Sequence, residues 1–205
     1  TYTYTNKPAT LEYTLRPMSG KTLTYSISNE YSTINDALLG KEYRAKVDTA
    51  AIKYWTLRYQ YDNHGRVSAI YRPKDLLHFK DDYKYRVRYG YDLHGWISNI
   101  SGNNFSERIY YDAGQGTSMY NGNISSVAWE NGSILTKGYR YKYDSQNRLV
   151  DAEYGESNFA SRLGRYDEKV GYNVNGGIIQ IVRNGLRQDD TYGAIDSLRL
   201  SYNGN

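Results

Sequence analysis

Tyrosine alternates with charged residues through the segment 139–143. Tyr occupies its first, third and fifth positions, and Arg140 and Lys142 stand between them. Because successive side chains of a strand point to opposite faces, this pattern predicts a β-strand with a tyrosine face and a charged face. The segment 144–147 has the Asp, Ser, Gln and Asn that are typical of a tight turn. The mixed segment 148–152 then returns as a second strand, so the whole unit is a predicted hairpin.

The same hairpin pattern recurs along the chain. Copies cover 57–70, 87–100, 139–152 and 170–181, and a fifth copy begins at 198–205. The tyrosines that anchor these copies follow one another at steps of 30, 52, 29 and 30 residues, and a shorter variant divides the longest step. They are Tyr61, Tyr91, Tyr143, Tyr172 and Tyr202, with Tyr120 in the variant. Such a period indicates a repeat protein, in which each unit buries its apolar face by stacking on its neighbours.

The apolar residues after each turn depart from simple alternation. They come in pairs spaced three positions apart: Val67 and Ile70, Ile97 and Ile100, and Ile178 and Ile181. In a regular strand this spacing places the two side chains on opposite faces. Either both faces are covered or a β-bulge brings each pair onto one face, and we favour the bulge.

The rest of the chain has shorter signals. Alternating or β-branched segments predict further strands at 1–5, 11–15, 23–27, 105–111 and 123–129. Gly-, Asn- and Pro-containing segments predict turns or loops at 16–20, 101–104 and 112–118, and we expect 73–82 to pack back over an open surface.

Two short segments have specific turn chemistry. Residues 35–40 combine a capping residue, a short apolar run and a terminal Gly, which fits either a single helical turn or a loop between strands. Asn131 and Gly132 form the strongest two-residue hairpin signal in the chain.

The repeated turn motifs resemble those of RHS or YD-repeat proteins, and most closely the versions found in Bacteroidetes. The resemblance covers roughly 57–205 and is weaker over the first fifty residues. The motifs that carry it are Tyr-Asp-x-x-Gly-Arg at 61–66, its relatives at 91–96 and 143–148, Asn-Gly-Asn-Ile-Ser at 121–125, Gly-Trp-Ile at 95–97 and Tyr-Asn-Gly-Asn at 202–205.

The resemblance implies an all-β fold, in which antiparallel β-hairpin repeats form a continuous coiled sheet as part of a β-shell. In bacterial RHS and Tc-toxin proteins such a shell encloses a C-terminal toxin polypeptide, and in teneurins it forms an adhesive surface. For this chain the resemblance implies a non-enzymatic structural scaffold of a secreted or surface-displayed bacterial protein. The Asp-Pro-x-Gly processing segment of RHS proteins is absent from this sequence, so self-cleavage and toxin activity are not carried over.

We interpret 1–205 as a single YD-repeat domain, with divergent strands at 1–50 and clear repeats at 51–205. The pattern is already under way at both ends, so we expect the chain to be a fragment of a longer protein. Unfinished edge strands expose unpaired backbone groups. We therefore expect edge-to-edge self-association of this piece when further repeats do not cover its edges.

The composition fits a β-sheet whose faces are partly exposed to solvent. Tyr supplies 25 of the 205 residues, and aromatic, amphipathic material of this kind suits pleated sheets better than helix packing. The net charge is +4, but the basic residues are scattered through every repeat. We interpret them as a solvated face and expect no nucleic-acid partner.

Several classes of protein are disfavoured by what the sequence lacks. Cysteine is absent, which excludes disulfides and Cys-ligated zinc. No apolar run has the length of a membrane-spanning helix, and no signal peptide is present in these residues.

The sequence assigns no catalytic, cofactor-binding or metal-binding residue. His64 and His94 occupy the same turn position in two repeats, where Gln146 and Asn175 stand in others, so we interpret both as turn residues. His78 has no motif around it. We therefore expect no enzyme activity, no cofactor and no metal.

Acidic and Gly-rich turns have structural interpretations. The segment 112–118 superficially suggests a phosphate loop, but it lacks the Lys of a P-loop and no helix pattern follows, so we interpret it as a flexible connection. Asp189 and Asp190 lie in a predicted turn. The Asp of each Tyr-Asp pair is expected to accept hydrogen bonds from backbone amides of its own turn, and the Arg two or three places after it is expected to brace a neighbouring strand.

The tyrosines are the one feature with binding potential. Aromatic faces stack on sugar rings, and the hydroxyl adds a hydrogen bond. Cross-strand aromatic pairs also stabilise a sheet, each by roughly 0.2–1 kcal/mol. The structural interpretation is favoured, and the alternative is a carbohydrate- or partner-binding adhesion module that uses exposed tyrosines.

Overall fold

The computed structural model describes residues 7–15, 22–48, 53–73, 83–132 and 136–202. Within these residues all fourteen regular elements are β-strands. They are β1 (Thr10–Leu15), β2 (Leu23–Tyr31), β3 (Leu38–Val47), β4 (Lys53–Tyr61), β5 (Val67–Pro73), β6 (Tyr83–Tyr91), β7 (Ile97–Ser101), β8 (Ser106–Tyr110), β9 (Ser126–Glu130), β10 (Lys137–Tyr143), β11 (Leu149–Glu156), β12 (Glu168–Tyr172), β13 (Ile178–Leu186) and β14 (Tyr192–Arg199). The described part of the chain contains no helix with the length and apolar character that crossing a membrane requires.

The chain divides into two compact units. The N-terminal unit is Thr1–Tyr89 and the C-terminal unit is Gly90–Asn205. The expectation that 1–205 forms one domain stays a prediction. The predicted strand at 1–5, the predicted turn at 16–20, and His78 with its loop lie outside the described residues.

Both units are built from antiparallel neighbours that follow the order of the chain. In the N-terminal unit each strand from β1 to β5 pairs with the next one, and β5 pairs with β6. In the C-terminal unit the same order runs from β7 to β14. The predicted all-β class and the antiparallel hairpins are therefore confirmed.

A β-bulge follows the turn in several hairpins. Tyr61 pairs with Val67, whereas Tyr59 pairs with Ile70, and Ser68 is the extra residue between them. Because Tyr59 and Tyr61 lie on one face, the bulge brings both apolar side chains onto that same face. Equivalent register shifts occur in the β2–β3, β10–β11 and β12–β13 hairpins. The predicted bulge is confirmed at 67–70 and at 178–181.

Of the two structures predicted for residues 35–40, the single helical turn is wrong and the loop between strands is confirmed. Ser32 Oγ accepts hydrogen bonds from the backbone N–H of Ile34 and Asn35, at 3.2 and 3.4 Å. The backbone N–H of Ser32 donates to Ala37 O at 2.7 Å. These bonds close a tight turn, and Leu38 then pairs directly with Tyr31 as the start of β3.

The two-residue hairpin predicted at Asn131 and Gly132 is also wrong. Strand β9 ends at Glu130 and β10 begins at Lys137, so the connection covers 131–136. The register of the two strands, which sets Tyr139 opposite the buried Val127, determines this longer connection. The strand predicted at 123–129 is likewise shorter and begins at Ser126.

Few side chains of the described residues are fully buried. The buried apolar ones are Ala69, Val127, Ala152 and Tyr154, and the buried polar ones are Thr56, Ser125, Ser126 and Glu156. With so small a core, cross-strand side-chain pairs supply much of what holds neighbouring hairpins together.

Candidate functional site

The side chain of Asp62 closes the turn between β4 and β5. Its Oδ1 accepts hydrogen bonds from the backbone N–H of His64 and of Arg66, both at 2.9 Å. Its Oδ2 accepts a hydrogen bond from Arg66 Nε at 2.7 Å. The predicted role of this Asp, which is to bind backbone amides of its own turn, is confirmed.

The same arrangement recurs at Asp92, Asp144 and Asn173. In each case one side-chain oxygen accepts hydrogen bonds from the backbone N–H groups two and four residues later, at 2.8–3.0 Å. Each turn also has one residue with positive φ, namely Gly65 (76°), Gly95 (85°), Asn147 (61°) and Gly176 (85°). Gly and Asn are the residues that adopt this left-handed conformation most easily. One turn geometry is therefore built four times within the described residues.

Arg148 links its own turn to the next hairpin. Its Nε donates to Asp144 Oδ2 at 2.7 Å, and its Nη1 donates to Asn173 O at 3.3 Å. The guanidinium carbon lies 4.5 Å from the centroid of the Tyr172 ring, within the range of a cation–π interaction. The predicted bracing of a neighbouring strand is confirmed, but the Arg stands four places after the Asp and not two or three.

Hydrogen bonding holds Asp144 in its charged form. The backbone N–H of Arg148 is the main reason that the pKa of Asp144 lies below its ordinary value, and desolvation of the carboxylate opposes this effect. The Arg148 side chain and the backbone N–H of Gln146 lower the pKa further. The carboxylate is therefore occupied by its own turn.

The anchor tyrosines hydrogen-bond from one hairpin to the next. In four of them the hydroxyl donates to the carbonyl of the first residue after the preceding turn. The bonds run from Tyr61 to Leu38 (2.7 Å), Tyr143 to Ile124 (2.8 Å), Tyr172 to Leu149 (2.9 Å) and Tyr202 to Ile178 (2.9 Å). Tyr111 makes the same bond to Ile97 O at 3.1 Å, although its repeat is not evident from the sequence pattern. The Tyr-Asp pair at 111–112 is the signal that could have located it.

The tyrosine face of β10 disfavours ionisation. Burial, helped by the nearby Tyr143 and Tyr139, raises the pKa of Tyr141 to about 12. Burial also raises the pKa of Tyr143. These hydroxyls therefore stay protonated and remain hydrogen-bond donors at neutral pH.

The opposite face of the same hairpin is charged. Arg140 donates to both carboxylate oxygens of Glu153, at 2.8 and 2.7 Å, and Lys142 donates to Asp151 at 3.0 Å. These partners face each other directly across β10 and β11. Exposed pairs of this kind contribute roughly 0–1 kcal/mol each. The predicted division into a tyrosine face and a charged face is confirmed.

Aromatic rings form a row on one face of the N-terminal unit. We call Tyr13, Tyr25, Tyr43 and Trp55 the aromatic row. Their successive ring centroids are 6.5, 6.3 and 5.3 Å apart, and the rings of Tyr43 and Trp55 are nearly parallel. Tyr13 is 51% exposed at the end of the row, so it is open to a partner.

The C-terminal unit has an aromatic cluster instead. Tyr154 packs edge to face against Tyr166 at 5.0 Å, and Tyr166 packs in the same way against Tyr192 at 5.5 Å. Arg165 lies 4.2 Å from the Tyr192 ring centroid. Tyr166 and Tyr192 are 37% and 36% exposed, less than Tyr13, so this cluster is a weaker candidate for sugar stacking than the exposed end of the aromatic row.

Glu156 is a buried carboxylate that sequence reasoning missed. One of its oxygens accepts a hydrogen bond from the Tyr154 hydroxyl and the other from Arg162, both at 2.9 Å. Burial and the adjacent Glu156 raise the pKa of Tyr154. Both oxygens of Glu156 are therefore engaged by donors within the protein.

Both turn histidines contact the Asp of their own turn, and the His94 ring nitrogen Nδ1 lies 3.6 Å from Asp92 Oδ2. The backbone N–H of each donates to the Asp of its turn, at 2.9 Å in both cases. The His94 ring stacks on Trp96 with centroids 4.6 Å apart. The prediction that His64 and His94 lie in turns is confirmed. No group of three or more His, Cys, Asp or Glu that could bind a metal ion occurs in the part of the chain that the structure describes.

The loop at 112–118 does not have the structure of a phosphate-binding loop. No helix follows it before β9. The backbone N–H of Gln115 donates to Ser126 Oγ at 3.2 Å. A Cβ at Gly114 would lie 2.5 Å from the same oxygen, so the loop packs closely on the sheet. The interpretation of this segment as a connection is confirmed. Asp189 also lies in its predicted turn, where its Oδ1 accepts a hydrogen bond from the Thr191 hydroxyl at 2.6 Å.

Comparison with known proteins does not identify a family for this chain. No family model and no curated protein matches the chain. Among solved structures it is similar to a porin-like protein from Bacteroides uniformis, with a TM-score of 0.35, 8% identity, and 92% of each chain covered. It is also similar to a structure of TcdB2-TccC3-Cdc42, with a TM-score of 0.32 and 13% identity over 86% of this chain and 12% of that one. At TM-scores of this size, neither likeness says anything about function.

Proposed function

We propose that this chain is a non-enzymatic structural scaffold, a segment of the β-shell of a secreted or surface RHS/YD-repeat protein. The observation that carries the proposal is the use of the anchor tyrosines. The hydroxyls of Tyr61, Tyr143 and Tyr172 each bond to the backbone of the preceding hairpin. The residue that defines the repeat therefore joins one hairpin to the next, as a wall requires.

Two further observations support a scaffold. The turn carboxylates of Asp62 and Asp144 are saturated by hydrogen bonds from their own turns. Arg148, the cation at the Asp144 turn, is directed at the neighbouring hairpin. By the resemblance of its motifs, the shell to which this chain belongs would enclose a C-terminal toxin polypeptide.

The wall role is tested by removing single hydroxyls. Tyr143→Phe and Tyr172→Phe each leave a carbonyl without its donor and should lower the free energy of unfolding by about 0.5–1.5 kcal/mol. Tyr120→Phe is the matched control, because Tyr120 is 78% exposed and should tolerate the change. Chemical denaturation of the three variants measures the difference. Equal stability of all three would contradict the role of these bonds.

The cargo is tested in the complete product of the gene. We expect a protease to spare any polypeptide within the shell while the wall is intact. The double variant Tyr143→Phe/Tyr172→Phe should expose that polypeptide at a lower denaturant concentration than the wild type. Immediate digestion of everything outside the repeat sheet, in the wild type as well, would argue for a surface role without cargo.

The adhesion alternative has one observation in its favour, which is the aromatic row with its exposed Tyr13. The inner rings of the row pack against one another, but Tyr13 at its end is 51% exposed and offers a stacking surface to a glycan. A glycan array that shows reproducible binding, lost in Tyr13→Ser, would favour this alternative. Binding that survives Tyr13→Ser, or no binding at all, would leave the scaffold role as the better explanation.

A further inference from the structure

The charged face of the N-terminal unit has a groove over β2, β3 and β4. Its volume is about 220 Å³, and Gly40 lines it. Gly40 pairs with Glu30 on one side and with Arg58 on the other. Gly40 has no side chain, and the Arg58 side chain lies over it to reach Glu30, so that a Cβ at Gly40 would lie 2.9 Å from Arg58 Nη1. Glu30 and Arg58 both line the groove. We call it the Gly40 groove.

The next row across the same strands is polar. Glu42 of β3 lies directly between Ser28 of β2 and Thr56 of β4. All three residues line the groove. A carboxylate flanked by two hydroxyls offers acceptors and rotatable donors within one small space.

The charges of the groove are balanced. Glu30 forms an ion pair with Arg58, and Glu42 forms one with Arg44. Two carboxylates and two guanidiniums leave no net charge among these side chains. Lys41 also lines the groove, but it stands between Gly40 and Glu42 on β3, so its side chain points to the opposite face of the sheet. An anionic or cationic ligand would have to compete with an existing ion pair, whereas a neutral polar ligand can bridge a carboxylate and a guanidinium without displacing either.

Thr56 supplies the independent sign of a ligand. Thr56 is only 8% exposed, and its Oγ1 has no hydrogen-bond partner among the described residues. A buried hydroxyl without a partner is unfavourable, and native proteins leave few of them. Thr56 lines the groove, and a rotation of about 120° about χ1 moves its hydroxyl to another staggered position, from which it can reach a ligand there.

Size and chemistry together define the ligand class. A volume of about 220 Å³ lies below the range of about 300–1,000 Å³ typical of drug-sized ligands, so one small ring fits. Adjacent hydroxyls on a sugar can each donate to a carboxylate and accept from a guanidinium. We propose that the Gly40 groove binds one neutral sugar residue through vicinal hydroxyls, with Glu42, Arg58 and Thr56 as its polar contacts.

This site is separate from the stacking surface of the aromatic row. Thr56 and Trp55 are neighbours on β4, so their side chains point to opposite faces of the sheet. The proposal also goes beyond the scaffold role, because the tyrosine hydroxyl bonds are not part of the groove. If experiment contradicts the sugar site, the scaffold role is therefore unaffected, and the reverse also holds.

The test uses the 205-residue chain and four methyl glycosides as probes, those of glucose, galactose, mannose and N-acetylglucosamine. Each is titrated over roughly 1–50 mM, the range suited to a weak single-sugar site, while backbone amide shifts are recorded by NMR. We expect at least one glycoside to shift the amides of Ser28, Gly40 and Thr56.

Two variants and one control locate the binding. Thr56→Val keeps the side-chain shape and removes the hydroxyl, and Glu42→Gln removes the carboxylate charge. Each should weaken binding by about tenfold or more. Glu153→Gln is the matched control, since it removes a carboxylate from a similar ion pair on the charged face of the C-terminal unit, and it should bind as the wild type does.

Each outcome decides the proposal. Loss of binding in Thr56→Val and Glu42→Gln, with the fold intact by circular dichroism, supports it. If Thr56→Val does not fold, the Glu42→Gln result decides alone. Absence of any shift, binding unchanged in both variants, or binding lost only in Trp55→Leu would overturn it. Equal shifts with acetate or sulfate would also overturn it, because they would show an ion site.

Discussion

The hairpins centred on Asp144 and on Asn173 have the same turn geometry but different chemistry. In both, one side-chain oxygen accepts hydrogen bonds from the two equivalent backbone N–H groups, at 2.8–3.0 Å. Asp144 also pairs with Arg148, whereas the position equivalent to Arg148 in the second hairpin is Gly177. The turn therefore requires an Asp or Asn oxygen, and the charge is an addition that connects the turn to its surroundings.

The largest effect should come from removing that oxygen. Asn173→Ala leaves two backbone N–H groups without their acceptor and should cost about 1–3 kcal/mol of unfolding free energy. Asp144→Ala should lower the Tm further, because Arg148 also loses its partner. Asn175→Ala is a control in the same turn, and as an exposed substitution it should stay within about 0.5 kcal/mol of the wild type. A Tm drop in Asn173→Ala as large as that in Asp144→Ala would show that the ion pair adds nothing.

The next effect concerns the left-handed residue of each turn, which is Asn147 in one hairpin and Gly176 in the other. Gly176→Val forces a β-branched side chain into positive φ and should cost about 1–2 kcal/mol. Gly176→Asn should cost clearly less, because Asn already adopts this conformation at the equivalent position. Thermal unfolding of both variants measures the contrast. If Asn and Val proved equally costly, contacts around Gly176 and not its φ would set the requirement.

A smaller effect, the pH dependence of stability, distinguishes the hairpin centred on Asp144 from the one centred on Asn173. Backbone hydrogen bonds from Arg148 lower the pKa of Asp144 below its ordinary value of 3.8. A lowered folded pKa means that the extra stability is present above the unfolded pKa and is lost as the pH falls through the folded pKa. The Tm gap between wild type and Asp144→Asn should therefore be open at neutral pH and close in acid below 3.8.

Asn173 provides the reference for that experiment. An amide does not titrate, so the Tm difference between wild type and Asn173→Ala should contain no term from this position that changes with pH. A gap between wild type and Asp144→Asn that stays constant from neutral pH into acid would contradict the charge assignment.

The parts of the fold that follow from local pattern could be read from the sequence. Alternation predicts the two faces of β10, the Asp or Asn at each turn predicts the hydrogen bonds, and the spacing of Val67 and Ile70 predicts a bulge. Each of these depends on residues a few positions apart. Local chemistry is enough to specify them.

The parts that depend on distant residues could not be read in this way. The connection at 131–136 is longer than the two-residue turn that Asn131 and Gly132 predict. The pairing of Tyr139 with Val127 sets a register that leaves more residues between the two strands. Phe159 packs over the paired Gly138 and Gly155, where a Cβ on Gly155 would lie 2.5 Å from its ring. The Gly40 groove likewise requires three strands in register. Gly138 and Gly155 could have indicated where Phe159 packs, but only the register of β10 and β11 shows that these two glycines pair directly.

The smallest expected effect concerns the turn histidines, which test how far the hairpins depend on the identity of an exposed turn residue. His64 and His94 contribute their backbone N–H to the turn, and Gln146 and Asn175 do the same in the Asp144 and Asn173 hairpins. Replacement of both by Asn should therefore shift the Tm by no more than about one or two degrees, as for other surface substitutions. The single variants sharpen the test, because only His94 stacks on a neighbouring ring, that of Trp96. Any measurable loss should come from His94→Asn, and a loss of more than about 2 kcal/mol from His64→Asn would mean that this side chain does more than occupy the turn.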